Sequence, residues 1–564
     1  MTKKWEIYQK NEKAIKEVAE KYQISDLLAS ILISRNIGTE EEIRIFLEPT
    51  RADFHDPFLF QDMEKAVKRM IEAINKKETV VIYGDYDVDG ITSTTVLKKF
   101  LQDRFLDAKT YIPNRLEEGY GLNKQAIDEI SKEKADLIIT VDCGISSVEE
   151  VEYAKQKGMD VIITDHHETL EELPKAIAVI DAKRKDNTYP FRGLAGVGVV
   201  FKLIQAISIK MGLEEKEYLK YLDLVCIGTI SDIVPLINEN RVIAKLGLKL
   251  IEVSNNAGIR YLVAATGYKK VDSNMISFGV APRINACGRM GHQEEALKLF
   301  LTQDPKEAQE ITKTLNKYNK KRQDTEKKIF EEALKVIKKR QLDQKQAIVL
   351  GGKNWHHGVI GIVSSKITEL YFKPSILVCF EGEEAKGSGR SIPGFDLHDA
   401  LCRCGDSLEK YGGHEMAVGL TLKTKNFDSF QEKFEAIAKQ SHLEEIEPIL
   451  YIDGVVELKD MKKEVVKELS LLEPFGEQNR VPLFLYKNLK IDSIRALSEG
   501  KHLKLTLKDT NYKIDGIGFN LGNLVEEYRI GDKIDIVGIL EMNDFNGNEA
   551  IQINIKDIRK SYEK

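Results

Sequence analysis

Four short apolar runs follow Thr79: TVVIYG, ADLIITVDCG, MDVIITDHH and AIAVIDA. Each is closed by polar or glycine-containing residues, and most are followed by a helical pattern. Strands that alternate with helices pair mainly in parallel, because each return crossover must be long enough to hold a helix. The carboxyl ends of such strands open on the crevice where ligands bind. Three of these ends carry clusters of acidic residues.

A chain of 564 residues divides into three or four domains at roughly 150 residues each. With 42% apolar residues, 31% charged residues and 13 prolines it has the composition of a globular protein. Residues 1–75 are mostly helical and are expected to cover the domain next in the chain: Ile15, Val18 and Tyr22 fall on one stripe, and Ser25 with Asp26 signals a cap. The parallel α/β unit takes 76–303. Ala308, Ile311, Leu315, Tyr318, Arg322, Thr325, Ile329, Ala333 and Val336 then mark one long helix, a connector over 304–345 with lysines off its apolar stripe. A smaller α/β unit, 346–444, contains AKGSGRSIPGF and YGGHEMAVG. The last segment, 445–564, alternates as strands over ILYIDGVVEL, LFLYKNLKIDSIRAL, HLKLTLKD, YKIDGIGFNL, KIDIVGILEMN and EAIQINIKDI, the pattern of a small antiparallel barrel of the OB kind. Its aromatics Phe484, Tyr486, Tyr512 and Phe519 read as core.

The net charge of −6 argues against a uniformly basic nucleic-acid coat and is compatible with a local cationic groove. Six dispersed cysteines without a CxxC pair read as reduced thiols of a cytoplasmic protein. The first residues lack the apolar core of a signal peptide, and no run approaches about 18 apolar residues, so no membrane partner is expected.

GDYDVDG places Asp85, Asp87 and Asp89 at alternate positions directly after a strand. Anions this close repel unless a cation compensates, and hard divalent ions favour such oxygen-rich sites, Mn²⁺ accepting imidazole as well. A second strand end supplies Asp142, a third supplies Asp165-His166-His167, and Ser231-Asp232 adds a later acid. One aspartate after a strand is ordinarily a helix cap or turn former. Several at neighbouring strand ends converge carboxylates and an imidazole on one crevice, which points to a metal site. Arg115, Arg283 and Arg289 offer planar forks suited to phosphate oxygens, and a backbone turn at Gly387–Ser391, with Ser388 and Arg390, offers N–H groups to another phosphate.

The strings GDYDVDG, VDCG, TDHH and SD together resemble the four motifs of the DHH phosphoesterase superfamily. The segment Ile112-Pro113-Asn114-Arg115 with EEGYGL, the segment APRINACGRM and Tyr411-Gly412-Gly413-His414 narrow the likeness to its single-strand-specific 5′-to-3′ DNA exonucleases. The resemblance implies a DHH catalytic domain, a DHHA1-like second domain and an OB-like barrel. It further implies two ions, Mn²⁺ or Mg²⁺, held by Asp87, Asp89, Asp142, His166 and Asp232, with Asp142 bridging and His167 facing the scissile phosphate. Asp85 fits a supporting role as well as ligation. Arg115 and Arg283 would hold the 5′ end, and Gly412, Gly413 and His414 would approach the released nucleotide. Simpler members of the superfamily carry a histidine where this chain has Tyr83, so water is expected in one ligand position.

The implied function is hydrolysis of single-stranded DNA to 5′-mononucleotides in repair and recombination, with a single-strand-binding protein and a helicase as partners. Two alternatives are a DHH phosphodiesterase for short oligonucleotides or cyclic dinucleotides, which would ordinarily lack the barrel, and a DNA-binding scaffold without metals, which would not need the full acidic set. With metal chemistry no cysteine nucleophile is needed, and Cys143 and Cys287 read as buried structural thiols.

Overall fold

Strand β1 (Lys4–Ile7) pairs in parallel with Ile449–Ile452, so the start of the chain is tied to the start of its last domain. The computed structural model describes residues 3–9, 11–114, 118, 119, 121–545 and 548–561. Three helices follow β1: Glu12–Tyr22, Asp26–Ser34 and Glu40–Leu47. Ser25 caps the second by accepting the Leu28 N–H at 3.1 Å, and Thr39 with Glu42 forms a capping box on the third. Their apolar residues Leu28, Ile31, Leu32, Ile43 and Phe46 enter one core with Phe484, Tyr486, Leu503 and Leu505. The N-terminal helices therefore cover the last domain rather than the next one. Of the helices ahead of residue 80, the one at Met63–Lys76 joins the core of the parallel sheet.

That sheet runs β3-β2-β4-β5-β6, every pairing parallel: β2 (Val80–Gly84), β3 (Lys109–Tyr111), β4 (Leu137–Val141), β5 (Asp160–Thr164) and β6 (Ala178–Ile180). The helices Val88–Gln102, Gly196–Lys210 and Leu222–Ser231 pack on one face, and Lys124–Lys132 and Val148–Gln156 on the other. The chain leaves β2 for β3 on one side and then places β4 on the other. The topological switch point thus lies between the carboxyl ends of β2 and β4, beside Asp85 and Asp142.

The connector is a single helix of 36 residues, Pro305–Arg340, about 54 Å long. Ala308, Ile311 and Leu315 belong to the core of the parallel sheet, while Ile329, Ala333 and Ile337 belong to that of the next unit. The helix is thus built into both domains. The second unit is a five-stranded sheet, β10-β11-β9-β8-β7, made of β7 (Ile348–Lys353), β8 (Ser375–Glu381), β9 (Glu384–Arg390), β10 (Lys410–His414) and β11 (Ala417–Lys423). Only β7 and β8 are parallel. The turn expected at Gly387–Ser391 is instead mostly strand: Gly387 to Arg390 lie in β9, whose backbone is committed to ladders with β8 and β11. Its glycines serve packing, since a Cβ on Gly387 would meet Leu420 at 2.8 Å and one on Gly389 would meet Val418 at 2.9 Å.

The last domain contains a closed five-stranded barrel. Strands β14 (Phe484–Leu497), β15 (His502–Lys508), β16 (Lys513–Gly518), β18 (Asn548–Lys560) and β17 (Lys533–Phe545) pair in that order, and β17 returns to β14. This is the OB topology. One pairing, β16 with β18, is parallel, so the barrel is not antiparallel throughout. The expected first strand is also divided: β12 (Ile449–Ile452) pairs with β1, and β13 (Gly454–Val455) joins β14 outside the closed ring. Phe484 and Tyr486 are core as expected, whereas Tyr512 and Phe519 are each 49% exposed.

Candidate metal centre and nucleic-acid cleft

β2 ends at Gly84 and the chain turns at once into the helix Val88–Gln102, which places Asp85, Asp87 and Asp89 within one turn of backbone. Asp87 caps this helix, its Oδ1 accepting the Gly90 N–H at 3.1 Å. Asp89 instead reaches the start of the helix Gly196–Lys210, where its oxygens accept the N–H groups of Gly196 at 2.6 Å and Val197 at 2.8 Å. A helix N-terminus favours a carboxylate there. The fit is tight, since a Cβ on Gly196 would lie 2.7 Å from the Cβ of Asp142.

Asp142 directly follows β4 and has φ +60°, a left-handed conformation that aspartate tolerates better than most residues. After β5, the fully buried Asp165 accepts N–H groups from Ile145 at 2.9 Å, His166 at 2.7 Å and His167 at 3.2 Å, and its Oδ1 lies 2.7 Å from Nδ1 of His167. This holds both histidines in place. His166 Nε2 then lies 3.0 Å from Asp142, 3.6 Å from Asp232 and 3.9 Å from Asp89. Asp232 arrives from the C-terminal end of the helix Leu222–Ser231. Three overlapping groups result, each with ligand atoms within 4.8 Å of one another: Asp142, His166 and His167; Asp89, His166 and Asp232; Asp85, Asp87 and Asp142.

Burial and mutual repulsion make this cluster costly as bare carboxylates. Burial, then the charge on Asp87, pushes Asp89 up to about 7. Asp142 and Asp232 are held well above the usual carboxylate range by burial and by the neighbouring charge of Asp89. His166 is pushed down to about 3 by burial and by His167, which leaves the neutral imidazole that ligates metals. Burial disfavours a charge on His167, yet the bond to Asp165 outweighs it and raises its pKa. Buried oxygen donors with one neutral imidazole, short of positive charge, fit Mn²⁺ or Mg²⁺. Tyr83 is buried and donates its hydroxyl to Gly121 O at 2.8 Å.

Of the residues expected to grip phosphate, Arg289, Ser388, Arg390 and Gly412 line one cavity of about 620 Å³, shared with Tyr86 of the acidic motif and with His357. Arg283 does not join them. Its fork is held by Asn316 Oδ1 at 2.7 Å, Gly279 O at 2.5 Å and Ala265 O at 3.0 Å, which makes it a brace between helices. Gly413 and His414 continue along β10 past the cavity lining, and Gly413 has φ +137°. Arg115 lies outside the described residues. Cys143 and Cys287 are buried, and burial pushes Cys287 up to about 12 and Cys143 well above its usual value, so neither is a thiolate nucleophile.

Asp165 was named with its motif but given no role of its own, and three further residues of this region, Gly196, Asp181 and His357, were not singled out in the sequence. Gly196 lies 107 residues from the Asp89 it serves, and no local pattern marks it. Asp181, one residue beyond β6, has a buried oxygen without a hydrogen-bond partner among the described residues and is pushed up by burial to about 8; its place at a fourth strand end was the available signal. His357, 3.5 Å from Glu381, follows Trp355 and His356 in a segment whose sequence carries no clear motif.

A parallel sheet whose strand ends gather this acidic and histidine set defines a DHH phosphoesterase, and the model of the DHH family N-terminal domain matches residues 79–229. The DHHA1 domain matches 344–440, and the RecJ OB domain matches 452–557. The chain belongs to the RecJ family. It is 40% identical over 560 residues to the single-stranded-DNA-specific exonuclease RecJ of Bacillus subtilis, covering 98% of this chain and 70% of that protein. It is 35% identical to RecJ of Thermus thermophilus over 88% of this chain and 71% of that one. Among solved structures, RecJ of Thermus thermophilus in complex with Mn²⁺ superposes with a TM-score of 0.87 at 31% identity, covering 99% of this chain and 80% of that one. The complex of the same protein with Mg²⁺ gives 0.81 at 30% identity, over 99% and 79%. Among the described residues no helix is long and apolar enough to cross a membrane.

Proposed function

We propose that this protein is a metal-dependent exonuclease that hydrolyses single-stranded DNA from the 5′ end and releases 5′-mononucleotides. The observation that carries this is the meeting of Asp87, Asp89, Asp142, His166 and Asp232, from four separate stretches of chain, at one strand-end crevice. We assign these five as the ligands of two divalent ions, Mn²⁺ or Mg²⁺, with Asp142 between the two and Asp85 in support. The chemistry such a pair supplies when bound is a water of lowered pKa and neutralisation of phosphoryl charge.

The protein's own groups prepare that crevice. Asp165 accepts the Nδ1 proton of His167, so the other ring nitrogen is the one left for the scissile phosphate. Arg289, Arg390 and Ser388 give the 5′-terminal nucleotide its grip in the cavity shared with Gly412. The RecJ OB match supports a polymeric substrate over a dinucleotide. The same reading takes the protein as cytoplasmic, acting in repair and recombination beside a helicase and a single-strand-binding protein.

Asp142→Ala tests the assignment. Hydrolysis of a 5′-labelled single strand in Mn²⁺ is abolished while strand binding persists; retained turnover contradicts the bridging role of Asp142.

A further inference from the structure

Two apolar side chains stand in solvent along one cavity, Ile233 next to Asp232 and Phe278 on the same lining. Ile233, the residue after Asp232, is 73% exposed and has φ +59°. A β-branched residue in that region is strained, and a side chain so exposed gains little packing in return. Strain of this kind gathers at functional sites. Phe278 is 71% exposed and sits in the π-helical turn Met275–Val280, a rare form that recurs at such sites.

Both line a cavity of about 660 Å³ that Ser231, Arg289 and Arg480 also line; Arg322 reaches it too, but its fork is held by Glu326 at 2.5 Å and Asn319 Oδ1 at 2.7 Å. Arg289 lines the 5′-end cavity as well, so the two cavities meet at this arginine near the acidic cluster. Single-stranded DNA alternates flat apolar base faces with anionic phosphates, and two exposed apolar groups beside the guanidinium groups of Arg289 and Arg480 match that alternation. The adjacency of Ile233 to Asp232 ties the pair to the substrate rather than to a partner protein.

We propose that Ile233 and Phe278 form the base-contacting step of the approaching strand, where nucleobases leave their stack and rest on these side chains while the arginines take the phosphates. The assignment rests on the exonuclease reading. In a duplex the base faces are covered, so this step selects strands whose bases can splay.

The test compares Mn²⁺-dependent hydrolysis of two 5′-phosphorylated single strands, one normal and one with abasic residues downstream of its first nucleotides, by wild type, Ile233→Gly and Phe278→Ala. The expected result is that each substitution lowers kcat/KM on the normal strand by about tenfold and leaves the abasic strand at its wild-type value. Ile233→Gly also raises Tm, because glycine relaxes the left-handed backbone. Equal losses on both strands, no loss on either, or a lowered Tm for Ile233→Gly overturns the proposal. A wild type that cleaves neither strand signals instead that the exonuclease reading itself has failed.

Discussion

Nδ1 of His167 lies 2.7 Å from Oδ1 of Asp165, a carboxylate wholly removed from solvent that also accepts three backbone N–H groups. Partners that orient residues around a metal are commonly worth 10–100-fold in activity. Asp165→Asn sets an amide N–H against one of four donors and removes the charge that holds the imidazolium. Turnover on single-stranded DNA is expected to fall by about 10–100-fold while the fold persists, measured as kcat beside circular dichroism. Wild-type turnover would show that His167 needs no such partner.

Gly196→Ala is the companion test on the opposite wall of the site. Its Cβ would press on Asp142 at 2.7 Å, and backbone or carboxylate must move. Calorimetric titration with Mn²⁺ should show affinity weakened by about 10–100-fold. Unchanged binding means that the cluster tolerates a shift of Asp142.

The raised carboxylates make a signed prediction for the metal-free protein. Asp89 titrates at about 7 in the folded state against 3.8 for an ordinary aspartate, and Asp142 and Asp232 are raised in the same direction. Between these values the folded state binds more protons than the unfolded, so this contribution to stability is lost as pH rises from about 4 to 7 and beyond. Asp142→Asn removes one of the charges. In chelator its melting temperature should exceed that of the wild type at about pH 8, with the gap closing toward pH 4. In excess Mn²⁺ the order should reverse, because only the wild type binds the ions fully. A wild type that outlasts Asp142→Asn in chelator at pH 8 would contradict the repulsion.

Arg241 holds the barrel to the catalytic domain. Fully buried, it donates to Phe46 O at the end of the N-terminal helices and to the carbonyls of Leu471, Leu472, Glu473 and Pro474 ahead of the barrel. Burial pushes its pKa down to about 9. Arg241→Ala removes a donor from five carbonyls, of which Leu472 and Pro474 keep Asn479 Nδ2 and Leu471 keeps Lys245 Nζ, and should cost on the order of 3 kcal/mol in chemical denaturation, with proteolysis appearing near residues 471–481. An intact linker and unchanged midpoint would reduce Arg241 to a passive core residue.

Features carried by contiguous residues were legible in the chain. β2, β4 and β5 are short apolar runs that end in their own acids, so strand, turn and candidate ligand were read together. The long helix likewise declared itself, because its apolar stripe keeps one period across two cores. What required distant chain was hidden. ILYIDGVVEL has the alternation of one strand, yet Asp453 divides it: its backbone N–H donates to Leu483 O and its carboxylate accepts from Leu483 N–H, while Ile449–Ile452 pairs with the start of the chain. The glycines of β9 read as a turn because glycine is a turn former, and only the packing of Leu420 and Val418 shows why a strand needs them. Arg283 had the right chemistry for phosphate, but three protein acceptors already hold it.

Anomalous scattering from crystals soaked in Mn²⁺ measures the central relationship directly. The expected result is two peaks within the cluster of Asp87, Asp89, Asp142, His166 and Asp232, with Asp142 adjoining both. Peaks elsewhere, or none at saturating manganese, would contradict a two-metal centre built from these strand ends.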